Sequence, residues 1–280
     1  MNQGQARWFL PAEPMQNRLM KTLLTFLWAA TLALGAGPTP PAGPPPIRVL
    51  TYNIHHGEGI DKKIDLERIA ALIKKADADI VALQEVDRGV ARTARRDLPA
   101  ELAALTGLQV CFDRNISYQG GDYGNAVLTR FPIRQKKNTH YKMLRAGEQR
   151  GVLQLVLEVR GQELLFMNTH LDFRPDDAER VLNVGELKQM VAAAGKRPVI
   201  ICGDFNATPG SRTHGMMKAI LSDAWELVGQ GNGFSIPVVK PAKRIDYIWI
   251  SRETVEPLKM EVLPSIASDH LPVLGEFRLR

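Results

Sequence analysis

The sequence predicts an α/β fold, and three observations predict it. Short apolar runs rich in β-branched residues recur from residue 47 onward, bounded by Gly, Pro and polar clusters, as buried strands are. Between several of them lie segments with apolar residues at helical spacing, the first behind a capping Asp65. Strand after strand then ends abruptly in a carboxylate, amide or imidazole. Residues 47–280 suit one large domain or two small ones, and with 45% hydrophobic residues the chain can bury a sizeable core.

The first 46 residues stand apart. Arg18 and Lys21 precede the apolar run Leu23 to Leu34, and the small residues Gly35, Ala36 and Gly37 follow, which is the order of a signal peptide. The run is shorter than the roughly 20 apolar residues of a spanning helix. Residues 1–37 are therefore expected to direct export to the periplasm or the exterior, with a retained N-terminal membrane anchor as the alternative. Residues 38–46 are Pro-rich and read as a stiff linker.

Ile47 to Asn53 reads as a strand ending in Asn53. If extended geometry persists, His55 faces the same way as Asn53 and is a candidate for contact with substrate. Its neighbour His56 then points to the opposite side, so the two are not expected to share one ion. A helix with Ile64, Ile69, Leu72 and Ile73 on its apolar face follows Asp65. Ile80 to Gln84 is a second buried strand, ending at Glu85. Asp87 and Arg88 are expected in a solvated loop as an ion pair. Arg92, Arg95 and Arg96 form a basic patch that either receives phosphate or is a solvated face.

Pro99 to Thr106 reads as a helix stopped by Gly107, and Leu108 to Asp113 as a strand. Tyr123 to Ile133 is a strand broken at Phe131-Pro132, with Asn125 as a ligand-facing candidate. Arg150 and Gly151 lead into the strand Val152 to Val159. A turn at Arg160 to Glu163 returns through Leu164 to Asn168, just ahead of His170. Asp176 to Ala193 is helical. Val199 to Cys202 is a buried strand ending in Gly203-Asp204-Phe205-Asn206, where the i, i+2 spacing sends Asp204 and Asn206 the same way. Ser211 to Leu221 reads as a helix and residues 229–243 as a loop. Arg244 to Ser251 alternates, with Ile245, Tyr247 and Trp249 on one face and Asp246 on the other. Ser268-Asp269-His270 precedes a last strand, Val273 to Phe277.

The strand-end set is thus Asn53, Glu85, His170, Asp204, Asn206, Asp246, Asp269 and His270. Its carboxylates and amides are hard oxygen ligands, suited to Mg²⁺ or Mn²⁺. Its histidines suit proton transfer and phosphate hydrogen bonding. No Gly-x-Ser-x-Gly elbow, phosphate-binding P-loop or dinucleotide fingerprint is present. The two cysteines, Cys111 and Cys202, have no zinc spacing. Cys202 reads as a core residue, and a bridge between the two stays open in an oxidising compartment. The net charge of +6 falls to +4 without residues 1–37, which hold Arg7, Arg18, Lys21 and Glu13, and that balance tolerates an anionic substrate without establishing nucleic-acid binding.

Seven blocks then carry a resemblance. TYNIHHG (51–57), LQEVD (83–87), YGNAVLTRFPI (123–133), NTHLD (168–172), GDFNATP (203–209), RIDYIWIS (244–251) and SDHLPV (268–273) resemble, in order, the endonuclease/exonuclease/phosphatase superfamily. That group includes deoxyribonuclease-I-like nucleases, inositol polyphosphate phosphatases and neutral sphingomyelinases. The resemblance implies a four-layer α/β/β/α sandwich of two mixed β-sheets with outer helices, over residues 47–280.

It also implies roles. Asn53 and Glu85 would hold the metal, with Asp269 close by. His170 would bond the scissile phosphate. Asp204 and Asn206 would orient the attacking water, and Asp246 would pair with His270. Either Asp204 or the His270–Asp246 pair would take the proton. Asn125, Arg150 and His55 would contact substrate. The opening block together with QEVDR is most similar to a bacterial branch related to GPI-anchor lipid remodelling domains.

The expected function is a metal-dependent phosphodiesterase acting on a lipid-like or small phosphoester, as a monomer, with membrane contact. A secreted nuclease is the runner-up, on the strength of Arg92, Arg95, Arg96, Lys136 and Lys137. A catalytically silent binding module is the third reading, and the intact Glu85, Asp204, Asn206, Asp246 and His270 argue against it.

Overall fold

A computed structural model of the chain describes residues 44–280, so the expected signal segment and residues 38–43 of the expected linker lie outside the described residues. The described residues begin with β1 (Ile47–Asn53), a short 3-10 turn at His55–Gly57, α1 (Leu66–Lys75) and β2 (Ile80–Arg88). Then come α2 (Leu98–Thr106), β3 (Gln109–Tyr118), β4 (Gly121–Thr129) and β5 (Ile133–His140). The second half contains β6 (Gly151–Val159), β7 (Gln162–His170), α3 (Ala178–Ala193), β8 (Val199–Asp204) and α4 (Arg212–Lys218). It closes with β9 (Ser222–Asp223), α5 (Ala224–Val228), β10 (Asp246–Ile250), β11 (Val255–Val262) and β12 (Val273–Leu279).

The strands form two six-stranded sheets, ordered β11-β12-β1-β2-β4-β3 and β5-β6-β7-β8-β10-β9. Each sheet has one parallel pair at its heart, β1 with β2 and β7 with β8, and both pairs are joined by a crossover helix. The core divides into three clusters. Ile47, Val49, Ile80, Ala82, Leu155, Phe166, Ile200, Cys202, Ile248 and Phe277 fill the seam between the sheets. Leu50, Tyr52, Val81 and Leu83 turn outward onto Leu66, Ile69, Ile73, Leu98 and Leu102 of α1 and α2. Met167, Ile201, Tyr247 and Trp249 turn outward onto Val184 and Leu187 of α3 and Met217 of α4. Alternate residues of each central strand thus serve different layers, and the four-layer sandwich follows from that parity.

Local chemistry sets the helix ends. Asp65 accepts from the Arg68 amide at 2.9 Å, Asp97 from Ala100 at 3.0 Å and Ser211 from His214 at 3.2 Å, each supplying an acceptor for a first-turn N–H. Gly107 ends α2 in the left-handed region at φ 75°. Gly203 sits at φ 150° because β7 passes so close that a Cβ there would lie 1.9 Å from the Thr169 carbonyl oxygen.

A buried polar bridge crosses the seam. Gln84 Nε2 donates to Asn168 Oδ1 at 2.7 Å, and Asn168 Nδ2 donates to the carbonyls of Leu83 and Ala126, both at 2.8 Å. Every group in it is fully buried, so the bridge ties one sheet to the other.

Several local expectations need correction. β2 does not stop at Gln84 but continues to Arg88, so Asp87 is a fully buried strand residue. Its partner is Arg92, bound in fork geometry at 2.8 and 2.9 Å, while Arg88 pairs with Asp122. Arg96 is bound to Glu101, so most of the basic patch is neutralised within the fold. β5 is a strand although its sequence, Ile133 to His140, is mostly polar. It is an edge strand, where an exposed face needs no apolar alternation. Cys111 and Cys202 are free, buried thiols.

Candidate active site

The site forms where the seam opens at the end to which β1, β2, β7 and β8 all run. Reading inward-facing positions along each strand shows why. In β8, Ile200 and Cys202 face the seam, and the next residue of that parity is Asp204. In β7, Leu164 and Phe166 lead to Asn168 and His170. In β10, Ile248 and Ile250 share parity with Asp246, and in β1, Ile47 and Val49 share it with Asn53. Asp204 pairs in register with His170 on one side and Asp246 on the other. Neighbouring strands lie about 4.8 Å apart, so register alone brings these three side chains together.

Their contacts form one connected network. His270 Nδ1 lies 2.8 Å from Asp246 Oδ2, which also accepts from Ser235 Oγ at 2.6 Å. The other ring nitrogen of His270, Nε2, faces Asp204 Oδ2 at 3.7 Å. His170 Nε2 approaches the same oxygen at 3.4 Å, and Asn53 Nδ2 donates to it at 3.2 Å. Asp204 Oδ1 accepts from the Asn206 amide at 2.9 Å, and this local turn holds Asn206 in the left-handed region at φ 47°. Asn206 Nδ2 lies 3.2 Å from His170 Nε2.

Arg150 determines which proton His170 carries. Its Nη1 sits 2.9 Å from His170 Nδ1, and a guanidinium can only donate, so Nδ1 is the acceptor. The Asn206 amide nitrogen, 3.2 Å from Nε2, competes as a donor there, but the Arg150 contact is shorter and charged, so it sets the tautomer and leaves the ring proton of neutral His170 on Nε2, the nitrogen that faces Asp204 at 3.4 Å.

Burial and neighbouring charge separate the protonation behaviour of these groups. Burial, and then the charge of Asp246, push the Asp204 carboxyl up to about 7. Burial opposes charging of His270, but the charge and hydrogen bond of Asp246 outweigh it and raise the imidazole to about 10. Burial, then the Arg150 and His270 charges, hold His170 well below its usual value. Near neutral pH the pocket thus contains an imidazolium, a neutral imidazole proton donor and a carboxylate near its midpoint.

The Asn53 amide joins this network to a second group. Its Nδ2 also donates to Glu85 Oε1 at 2.9 Å. Glu85 reaches this position through a β-bulge: the β2–β4 register shifts between Leu83 and Val86, and Glu85 takes φ 59°. A bulge re-aims a side chain that strict alternation would have turned away from the seam.

The expectation that His55 and His56 point apart is overturned. The strand ends at Asn53, and both histidines lie in a 3-10 turn at φ 44°. Their rings meet edge to face at 4.4 Å, and one nitrogen from each lies within 4.8 Å of a Glu85 oxygen and of the other. His56 is buried. Burial, then the charges of Arg92 and His55, lower its imidazole to about 4. The structure fits a divalent cation here: Glu85 is half-buried and only one of its oxygens is bonded by a side chain, while His56 Nδ1 has no partner among the described residues.

The remaining candidates are placed differently. Asn125 is buried and donates across the seam to the Gly151 carbonyl at 3.3 Å. Arg150 is buried behind His170 and paired with Glu148 at 2.9 Å. Asp269 is exposed, with Oδ1 3.2 Å from Ser268 Oγ, outside the carboxylate–histidine groups of the site. Ser235 and Ser268 are supporting residues that sequence reading passed over. Ser268 Oγ donates to the Asn53 carbonyl at 2.7 Å and accepts from the His270 amide at 3.2 Å, tying the two halves of the site. Its place just before Asp269-His270 was a usable signal. Ser235, inside a long loop, offered none.

Comparison with known proteins agrees with this fold. The chain is 29% identical over 252 residues to the uncharacterized protein YbhP of Escherichia coli, covering 83% of this chain and 96% of that one. It is 24% identical over 193 residues to a 5'-tyrosyl-DNA phosphodiesterase of Caenorhabditis elegans, covering 66% of this chain and 49% of that protein. The crystal structure of an endonuclease/exonuclease/phosphatase from Beutenbergia cavernae superposes with a TM-score of 0.72 at 24% identity, covering 84% of this chain and 72% of that one. The model of the Endonuclease/Exonuclease/phosphatase family matches residues 50–270, from the middle of β1 to the site histidine His270, and the chain belongs to that family of hydrolases.

Proposed function

We propose that the chain is an exported, divalent-metal-dependent phosphodiesterase that cleaves a lipid-like or small phosphodiester by in-line attack of water. The observation that carries this reading is the convergence of Asp204, His170 and His270 on one opening, joined through Asn53 to Glu85. A divalent ion at Asn53 and Glu85, Mg²⁺ or Mn²⁺, would polarise a phosphoryl oxygen and offset charge developing on it.

The side chains supply the rest. Asp204, lifted to about 7, is the group positioned to take a proton from water at neutral pH, and Asn206 holds that water beside it. His270 already carries its proton under the influence of Asp246, which favours Asp204 as the base and His270 as a donor to phosphate oxygen. His170, with its proton fixed on Nε2 by Arg150, is a second donor to the same group. Water oxygen bonds to phosphorus as the ester oxygen on the opposite side leaves and takes a proton from solvent.

Two observations favour a lipid-like or small substrate. Arg92 and Arg96 are bound to Asp87 and Glu101, so they do not line a free basic groove of the kind that binds a nucleic-acid backbone. Phe173, three residues beyond His170, is largely exposed, with the Arg150 guanidinium 5.9 Å from its ring. The nuclease alternative draws on the tyrosyl-DNA phosphodiesterase relative.

The test is a panel of sphingomyelin, glycerophospholipids, inositol phosphates and supercoiled plasmid, each with Mg²⁺, Mn²⁺ or EDTA. Metal-dependent hydrolysis of a lipid or small ester is expected, with Glu85→Ala and His270→Ala each inactive. Full activity in EDTA would sink the mechanism, and plasmid nicking without action on lipids would replace the substrate class.

A further inference from the structure

We propose that His55 and His56 join Glu85 in a nitrogen-rich cation site, and that this site selects a transition ion over Mg²⁺. The inference rests on the reading of Glu85 as a metal ligand and adds the identity of the metal.

Three features of the loop support it. First, one nitrogen of each imidazole and one oxygen of Glu85 lie within 4.8 Å of one another, a spacing that a single ion can bridge with small side-chain adjustments. Two histidines and one glutamate with a position left open form a donor set used by catalytic zinc sites, whereas Mg²⁺ is held mainly by oxygen.

Second, His56 is buried and its Nδ1 has no hydrogen-bond partner among the described residues. A buried imidazole nitrogen without a partner is unfavourable unless a ligand takes its lone pair.

Third, Glu58 provides the outer contacts that ligating histidines use. Its carbonyl oxygen lies 3.4 Å from His55 Nδ1, and its carboxylate lies 3.8 Å from His56 Nε2. A proton drawn to His55 Nδ1 leaves Nε2 as the ligand atom, and a proton drawn to His56 Nε2 leaves the unpartnered Nδ1 as the ligand atom. Asn53, which bonds both Glu85 and Asp204, places such an ion next to the reacting groups.

The test uses purified protein stripped with a chelator and titrated calorimetrically with Zn²⁺, Mn²⁺ and Mg²⁺. Affinity is expected to fall in that order. His55→Ala and His56→Ala should each weaken Mn²⁺ binding by about tenfold or more and leave Mg²⁺ binding nearly unchanged. Equal affinity for Mn²⁺ and Mg²⁺, or undiminished Mn²⁺ binding by both variants, would overturn the proposal. His56→Ala risks misfolding, so the Mn²⁺-loaded wild-type protein is also examined by electron spin-echo spectroscopy. Nitrogen coupling to the manganese is expected, and its absence overturns the site irrespective of any variant. Failure here is separable from failure of the proposed function. Mg²⁺-supported hydrolysis without nitrogen coupling rejects this site alone. Nitrogen coupling in a protein that hydrolyses no phosphodiester with any metal rejects the function alone.

Discussion

Two buried histidine–aspartate pairs, their aspartates on the same sheet, face different fates. His270 meets Asp246 at 2.8 Å, and His214 meets Asp223 at 3.1 Å. Asp246 and Asp223 lie on the paired strands β10 and β9. In the second pair both carboxylate oxygens are occupied within the fold. Asp223 also accepts from Arg244 at 2.6 Å and from the Trp225 amide at 2.9 Å, and His214 packs beside Tyr247 and Trp249. The Arg244 cation balances Asp223 without any ligand. In the first pair, Asp246 Oδ1 has no partner among the described residues, and the second carboxylate, Asp204, 3.7 Å from the histidine, is buried; the second carboxylate beside His214, Glu226 at 3.5 Å, is exposed and paired with Lys218. A His–Asp pair by itself therefore marks nothing. Unused hydrogen-bonding capacity beside another buried titratable group is what distinguishes the candidate site.

The sharpest way to break this contrast is activity. Asp204→Asn and His270→Ala are each expected to lower kcat by about 10³-fold, within the range of acid–base groups. His214→Ala should leave kcat within a factor of about three while lowering stability in urea by about 1–3 kcal/mol, the loss of a buried hydrogen-bonded partner. A folded but inactive His214→Ala protein would erase the distinction. Asp223→Asn should cost about 3–5 kcal/mol of stability, because it strips buried Arg244 of its counter-charge. Activity per folded molecule should survive that change.

A smaller effect appears with pH in the metal-free protein. The folded pKa of His270 is raised from 6.5 to about 10, so its contribution to stability is fully present below about 6.5 and is lost as pH climbs through about 10. Thermal midpoints measured across that window should decline, and the decline should flatten in Asp246→Asn. No difference between the two proteins would remove Asp246 as the cause. The smallest effect concerns Arg150→Met, which removes one of the influences that hold His170 low. The His170 imidazole should then titrate at higher pH by NMR, with kcat reduced by about tenfold through loss of tautomer control.

Much of this arrangement was legible in residue order because parity is a local property. Cys202 then Asp204, and Asn168 then His170, each say that the next inward position of a buried strand is polar, and register does the rest. What escaped depended on backbone irregularity. Glu85 works through a bulge, and His55 and His56 through a left-handed turn, neither of which has an apolar signature. Asp87 was misread because its charge suggested solvent, whereas Arg92, five residues on, made burial affordable. Ser235 is joined to Asp246 only by tertiary folding of residues 229–243.

The polar bridge between Gln84 and Asn168 has a consequence for how the enzyme tolerates change. Glu85 and Asn53 belong to one sheet, and His170, Asp204 and Asp246 to the other, so the pocket is assembled from two separate sheets. An apolar seam resists separation but resists sliding weakly, since one packed surface can exchange for another. A slip of one residue along a strand, about 3.3 Å, would move Asn53 out of reach of Asp204. The bridge is a positional pin against that slip, one residue behind Glu85 and two behind His170. Substitutions far out in the helical layers can therefore accumulate without detuning the pocket, whereas Asn168→Leu is the kind of change that would leave a folded protein with its two half-sites out of alignment.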